Sequence, residues 1–138
     1  MHHDILVVDD DVHVRRLCRL TLERPGYVLT EAGTGKEALL AIKTTVFDLI
    51  LLDLSMPEVD GFEFLKAVRF NSPQLTILVM SGLLSGTMLT AAKLFGAAAT
   101  LAKPFSSDSL LAAVGMVLAP KALHKWSDWI RQRPNVQR

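Results

Sequence analysis

Cysteine is almost absent from this sequence: Cys18 is the only one in 138 residues, so no disulfide can form within the chain. A chain of this kind fits a reducing compartment, and Cys18 itself fits a small core residue. The sequence also has no large excess of basic over acidic residues. Its formal net charge is +1, which argues against a general basic surface for nucleic acid.

Long apolar runs and a basic N-terminus are also missing. The longest apolar stretch, LLAAVGMVLA, is well short of the ~18–20 residues that a membrane span needs. The first residues, MHHDILVVDD, are acidic and do not resemble a secretory signal peptide. We therefore expect a cytoplasmic protein without a membrane partner, whose 50% hydrophobic content is enough for one packed domain.

Short apolar segments alternate with amphipathic ones along most of the chain. Strands are predicted at 4–10, 27–32, 47–54, 75–82 and 98–104, and helices at 12–24, 34–44, 61–70, 84–96 and 106–119. Thr34 fits an N-cap of the second helix, and Ser106 or Ser107 an N-cap of the fifth. Strands that are apolar on both faces and joined by helices predict an α/β fold, a doubly wound five-stranded parallel sheet.

Four of the predicted strands end in polar side chains. They are Asp9 and Asp10 at the end of the first strand, Asp53 at the end of the third, Ser81 at the end of the fourth, beside Gly82, which has no side chain, and Lys103 at the end of the fifth. Because the carboxyl ends of parallel strands lie along one edge of a sheet, these groups should converge where ligands of such sheets bind.

The charges of this group indicate its ligand. Three carboxylates a few ångströms apart repel by several kcal/mol at an effective dielectric constant of ~20, and a hard divalent cation relieves that repulsion. With Mg²⁺ and Lys103 the site would be neutral, so that a phosphoryl group could approach it. The alternative is a solvated turn or a helix N-cap, and Asp11 fits a cap of the first helix.

The segments VVDDD, DLSMPEVDGFEFL, VMSG and AKPF, in this order and spacing, resemble the receiver domain of two-component response regulators. The resemblance covers most of residues 4–118 and implies a flavodoxin-like (βα)5 fold. It implies that Asp53 receives a phosphoryl group from the phosphohistidine of a sensor histidine kinase or a phosphotransfer protein. The implied metal residues are Asp10, Asp53 and the backbone carbonyl of Ser55 as direct Mg²⁺ ligands, with Asp9 acting largely through water. The implied phosphoryl contacts are Ser81 and Lys103, beside Gly82.

Thr100 departs from the family pattern. Three residues before Lys103, where the family usually carries an aromatic switch residue, this sequence has Thr100. We therefore expect signalling to depend on the fourth helix and its loop. The expected output surface, which would contact a downstream protein or a second copy along the face from the fourth to the fifth helix, includes Leu83, Leu84, Met88 and Leu94. The alternative is a wide stripe of core residues on the fourth helix.

We expect the receiver domain to span residues 1–119 and to be followed by a basic amphipathic extension or linker at 120–138. That tail has a charge of +5 − 1 = +4, from Lys121, Lys125, Arg131, Arg133 and Arg138 against Asp128. The sequence does not distinguish a terminal helix, a linker to an effector domain and a partner-binding arm.

The favoured interpretation is a phosphorylation-driven switch that turns over no external substrate and binds no nucleic acid directly. One alternative is an interaction module that works without phosphorylation, which Thr100 favours. A second is a Mg²⁺-dependent phosphatase, which should need an acid where this chain has Ser55.

Overall fold

Five strands and five helices alternate along the chain in this computed structural model, which describes residues 3–56, 61–82 and 86–119, with 86–89 by backbone alone. The strands are β1 (Asp4–Val8), β2 (Val28–Ala32), β3 (Leu49–Asp53), β4 (Thr76–Ser81) and β5 (Ala99–Ala102). The helices are α1 (Val12–Glu23), α2 (Gly35–Thr44), α3 (Gly61–Asn71), α4 (Gly86–Leu94) and α5 (Ser107–Val117).

All five strands are parallel and form one sheet in the order β2-β1-β3-β4-β5. The chain first moves from β1 outward to β2, then returns to the other side of β1 with β3. The strand order therefore reverses between β1 and β3, which is where ligands bind in open α/β sheets. The predicted doubly wound α/β fold is confirmed.

Two hydrophobic layers cover the sheet, because successive side chains of each buried strand point to opposite faces. On one face Leu6 and Ile50 pack with α2, α3 and α4, and on the other Ile5 and Leu49 pack with α1 and α5. Cys18 lies buried in the second layer, as predicted. None of the helices in the described part of the chain has the length and hydropathy of a membrane span.

Side-chain caps fix where three helices begin. The Asp11 carboxylate accepts the N–H of His13 at 2.8 Å, so Asp11 is the predicted cap of α1. The Thr34 hydroxyl accepts the N–H of Glu37 at 3.1 Å. Of the two serines that fit a cap of α5, Ser106 is the N-cap.

Candidate functional site

The edge of the sheet at the switch point collects three carboxylates. Val8 pairs with Leu52 in the ladder between β1 and β3, so Asp9 and Asp53 follow on neighbouring strands. Oxygen atoms of Asp9, Asp10 and Asp53 all lie within 4.8 Å of one another. Asp9 and Asp53 are 0% and 1% exposed, whereas Asp10 faces solvent. The three carboxylates thus lie together, as predicted from the sequence.

Lys103 brings a positive charge to the same place from the edge strand β5. Its backbone N–H donates to the Ser81 carbonyl at 3.0 Å, which continues the β4–β5 ladder past Ala102. Its Nζ atom lies 2.6 Å from Asp9 Oδ2 and 3.2 Å from Asp53 Oδ2. One ammonium thus contacts the two buried carboxylates.

Burial and ion pairing act against each other in this cluster. Burial raises the pKa of Asp9 above its ordinary value, although Lys103 and the Asp11 N–H lower it in part. Burial alone would lower the pKa of Lys103, but its contacts with Asp9 and Asp53 outweigh that effect and raise the pKa. Lys103 is therefore charged at neutral pH. For Asp9, burial makes the charged form less favourable than it would be in water.

The second oxygen of each buried carboxylate is held by a neutral donor from the loop that follows it. Asp53 Oδ1 accepts the backbone N–H of Ser55 at 2.8 Å and its hydroxyl at 2.6 Å. Asp9 Oδ1 accepts the backbone N–H of Asp11 at 2.9 Å. Both Oδ2 atoms are thereby left to face Lys103. Ser55 is expected at the site through its carbonyl, and its hydrogen bonds to Asp53 were not predicted from the sequence.

The cluster suits a divalent cation in charge and in chemistry. Three carboxylates and one ammonium give a formal charge of −3 + 1 = −2, which a divalent cation neutralises. All three side chains offer hard oxygen ligands, and the exposed Asp10 leaves an open side for water. Mg²⁺ prefers this combination of a few carboxylates and retained water molecules.

Ser81 and Gly82 lie at the end of β4, on the other side of β3 from Asp9. Ser81 is buried at the last position of the strand, and Gly82 is exposed directly after it. A Cβ atom at Gly82 would meet only the Cβ of Lys103, at 4.0 Å. The absence of a longer side chain at Gly82 thus leaves space beside Lys103.

Thr100 lies on β5 opposite Val79 of β4, with its side chain exposed. Thr100 is therefore not packed in the core. Its part in switching stays a prediction.

Only part of the expected output surface can be compared with the structure. Leu94, at the end of α4, is 71% exposed, whereas Ala91 and Ala92 are buried in the core. Leu83 and Leu84 lie outside the described residues, as do the side chain of Met88 and the tail at 120–138.

Arg15 is a residue near the site that the sequence analysis did not single out. Its Nη1 atom donates to the Asp9 carbonyl at 2.7 Å, and its Nε atom donates to Glu31 Oε1 at 2.9 Å. The available signal was the pair Arg15 and Arg19 on one face of α1, four residues apart, with Glu31 at the end of β2.

Comparison with known proteins points to one family. Residues 5–115 match the family model described as the response regulator receiver domain. The transcriptional regulatory protein ZraR of Escherichia coli K12 is 36% identical over 116 residues, which are 84% of this chain and 26% of that protein. This chain thus spans about a quarter of the regulator's length.

Two shorter relatives match over nearly their whole length. Sporulation initiation phosphotransferase F of Bacillus subtilis is 32% identical over 88% of this chain and 98% of that protein. Chemotaxis protein CheY of the same organism is 34% identical over 86% of this chain and 99% of its own.

Solved structures give the same result. Chemotaxis protein CheY4 of Vibrio cholerae superimposes with a TM-score of 0.79 at 36% identity, over 86% of this chain and all of that one (100%). A response regulator of Burkholderia pseudomallei, solved with a phosphorylated aspartic acid and a calcium ion, gives a TM-score of 0.73 at 30% identity. That match covers 96% of this chain and 75% of the other.

Proposed function

This chain belongs to the response regulator receiver family, and on that premise we propose that Asp53 is its phosphoacceptor. As a receiver domain it is a module of two-component signal transduction, a class that generally exchanges phosphoryl groups with histidine kinases or phosphotransfer proteins. The observation that carries the assignment is the placement of Asp53 between the carboxylates of β1 and Ser81 of β4, within reach of Lys103.

Position in the sheet favours Asp53 over Asp9 and Asp10. Asp53 ends the central strand β3, so a phosphoryl group on Asp53 would have the carboxylates of Asp9 and Asp10 on one side and the end of β4 on the other. A group on Asp9 would instead lie toward the β2 side of the sheet. The Burkholderia neighbour, which was solved with a phosphorylated aspartic acid and a calcium ion, supports the same chemistry in this fold.

In the proposed step an Asp53 carboxylate oxygen attacks the phosphorus of a donor phosphohistidine. An O–P bond forms and the P–N bond breaks, with its electron pair returning to the imidazole nitrogen. Lys103 pairs with a phosphoryl oxygen, the Ser81 hydroxyl donates to another, and Gly82 leaves the space that the group occupies. The Ser55 N–H and hydroxyl orient Asp53 through Oδ1.

The cation that receiver domains generally bind is Mg²⁺, and we assign its ligands here to Asp9, Asp10, Asp53 and the Ser55 carbonyl. Bound there, Mg²⁺ supplies positive charge for the phosphoryl oxygens in the transition state. The formal charge of −2 among the described groups supports this assignment.

Intact mass after incubation with acetyl phosphate tests the proposal. The protein with Mg²⁺ should gain one phosphoryl group, while Asp53→Asn and a chelated sample should gain none. Asp48→Asn is the matched control, because Asp48 precedes the same strand at the opposite edge of the sheet and should leave the gain intact. A gain that persists in Asp53→Asn, or without Mg²⁺, would contradict the assignment.

Phosphorylation would change protein contacts on the face from α4 to α5, and we place the output surface there. Leu94 supports this because it is a large apolar side chain left 71% exposed at the end of α4. The exposure of Thr100 supports transmission through α4 instead of an aromatic lever on β5. A downstream protein or a second copy of the chain would cover this surface, and the chain would turn over no external substrate.

Sedimentation with and without beryllofluoride, a phosphoryl mimic, tests for a second copy. The mimic should promote dimers of the unmodified protein, and Leu94→Lys should prevent them. Leu40→Lys is the matched control, because Leu40 is 64% exposed on α2, away from α4 and α5. An unchanged monomer would leave a different protein as the partner.

We further propose that the receiver unit is 1–119, that 120–138 is an extension or linker, and that the chain works in the cytoplasm, where Cys18 stays reduced. The alternative is an interaction module that works without phosphorylation. The exposed Thr100 favours it, whereas the complete set of Asp9, Asp10, Asp53 and Lys103 opposes it. Failure of acetyl phosphate labelling would select this alternative.

A further inference from the structure

Arg15, on the first turns of α1, contacts the backbone that joins two carboxylates of the site. Its Nη1 atom donates to the carbonyl oxygen of Asp9 at 2.7 Å, so it holds the peptide between Asp9 and Asp10. The Arg15 side chain is only 18% exposed, so water competes little for this contact. A charged donor also makes a stronger hydrogen bond than a neutral one.

The remaining polar groups of Asp9 show how closely this residue is fixed. Its N–H donates to the Ala32 carbonyl at 3.1 Å, and its Oδ1 atom accepts the Asp11 N–H at 2.9 Å. With Lys103 on Oδ2 and Arg15 on the carbonyl, the residue is restrained at its N–H, its C=O and both carboxylate oxygens. Arg15 supplies the contact to the peptide that leads on to Asp10.

The guanidinium is itself held by Glu31, which Arg19 holds in turn. Its Nε atom donates to Glu31 Oε1 at 2.9 Å, while Glu31 Oε2 accepts from Arg19 Nε at 2.7 Å. A Cβ atom at Gly33 would come within 3.2 Å of Arg15 Nη1, so the glycine leaves room for the guanidinium. Arg15 therefore reaches the Asp9 carbonyl from an ordered position.

We propose that Arg15 is a positioning residue for the cation site, which presents the carboxylates of Asp9 and Asp10 together to one divalent cation. The proposal rests on the proposed function in taking these carboxylates as Mg²⁺ ligands. Outer groups that orient metal ligands are commonly worth a large factor in affinity, even though they do not touch the metal.

The charge of Arg15 and its hydrogen bond to Asp9 predict opposite effects on Mg²⁺ affinity when Arg15 is removed. A guanidinium near the site repels a cation, so removing Arg15 should tighten Mg²⁺ binding if its charge were its main influence. Removing it should weaken binding if it acts by holding the Asp9 carbonyl. The sign of the change in affinity therefore separates the two roles.

Calorimetric titration of the metal-free full-length chain with Mg²⁺ tests this. Arg15→Met, which keeps an apolar stem and loses every donor, should bind Mg²⁺ about tenfold more weakly than the unmodified chain. Arg19→Met is the matched control, because Arg19 pairs with the same Glu31 and also contacts Glu23 and the Leu29 carbonyl. Its Mg²⁺ affinity should stay within about twofold, as expected for a partly exposed ion pair.

Two further measurements exclude a merely structural effect. Urea unfolding of both methionine variants without Mg²⁺ should show similar losses of stability, so that affinity and stability separate. Arg15→Lys, whose single ammonium cannot reproduce the fork, should weaken Mg²⁺ binding by an intermediate factor, and it decides the matter if Arg15→Met does not fold.

Equal or tighter Mg²⁺ binding by the Arg15 variants would overturn the proposal, as would equal weakening by Arg19→Met. An unmodified chain that binds no Mg²⁺ would overturn the proposed function and this inference together. If the unmodified chain binds Mg²⁺ and Arg15→Met binds it with equal affinity, this inference alone would be overturned.

Discussion

At the scale of single residues, burial decides the chemistry of the lone thiol. Burial raises the pKa of Cys18 to about 12, and the neighbouring Asp9 adds to the shift. Since the thiolate is the reactive form, native Cys18 should not react with a thiol reagent at pH 8 and should react fully once the chain is unfolded in urea. Rapid labelling of the folded protein would contradict the burial of this side chain.

Asp9 should show a conflict between stability and function. Burial raises its pKa, so its charged form destabilises the metal-free fold at neutral pH relative to a neutral side chain of the same shape. Asp9→Asn retains an oxygen that can accept the Asp11 N–H and removes one carboxylate charge. In urea without Mg²⁺ the variant should unfold at a higher midpoint than the unmodified protein.

Mg²⁺ is the control for the Asp9 variant. The cation should raise the unfolding midpoint of the unmodified protein and should change that of Asp9→Asn much less. A variant that is less stable without Mg²⁺ would mean that the pairing of Asp9 with Lys103 outweighs its burial.

The sequence predicts those site residues whose place is set by the backbone. Asp9 and Lys103 directly follow strands and Asp53 ends one, and parallel strands bring those positions to one edge whatever the side-chain rotamers are. The contacts of Arg15 and Ser55 were not predictable in this way. They depend on where a long guanidinium and a short hydroxyl point, which sequence spacing alone does not determine.

At the scale of elements, an ion network joins α1 to β2. Hydrogen bonds from Arg19 lower the pKa of Glu31, burial opposes them in part, and Arg15 lowers the pKa further. A lowered pKa means that the stabilisation is complete above the ordinary value of 4.5 and is lost as the pH falls through the lower, folded-state value.

Glu31→Gln should therefore cost about 1 kcal/mol at pH 7, the upper range for partly exposed pairs. The difference from the unmodified protein should shrink as the pH falls below 4.5. Urea unfolding at a series of pH values measures it, and a difference that is independent of pH would show that ion pairing is not the cause.

The start of α5 depends on one of two adjacent serines. The Ser106 hydroxyl accepts the N–H of Ser109 at 3.1 Å, and the Ser109 hydroxyl accepts the N–H of Ser106 at 3.1 Å. Ser106→Ala should destabilise the protein by about 1 kcal/mol, as is typical for loss of an N-cap. Ser107→Ala should change the unfolding free energy little, because Ser107 is already helical; equal effects of the two substitutions would contradict the observed cap.

The elements themselves were predictable because apolar periodicity and caps mark them locally. All ten predicted elements occur, with ends displaced by at most two residues. Two of the displacements fall at the polar ends of strands, at Asp9 and Lys103. There the backbone still forms ladder-like hydrogen bonds while the chain leaves the strand, so local composition does not define the boundary.

At the scale of the whole molecule, the order of the strands turns scattered residues into one site. The reversal between β1 and β3 places carboxylates from two strands side by side, and β4 and β5 add Ser81 and Lys103. The class of fold follows from alternating strands and helices, but the flavodoxin-like topology was implied only by the resemblance to receiver domains, because alternation alone permits other strand orders.

The most direct test of this account is to locate the phosphoryl group within the chain. After labelling with acetyl phosphate and Mg²⁺, borohydride reduction and peptide mass analysis would mark the aspartate that carried it. The account predicts a single modified residue, Asp53, in the peptide that contains the end of β3. A mark on Asp9, on Asp10, or on a residue outside the cluster would contradict it.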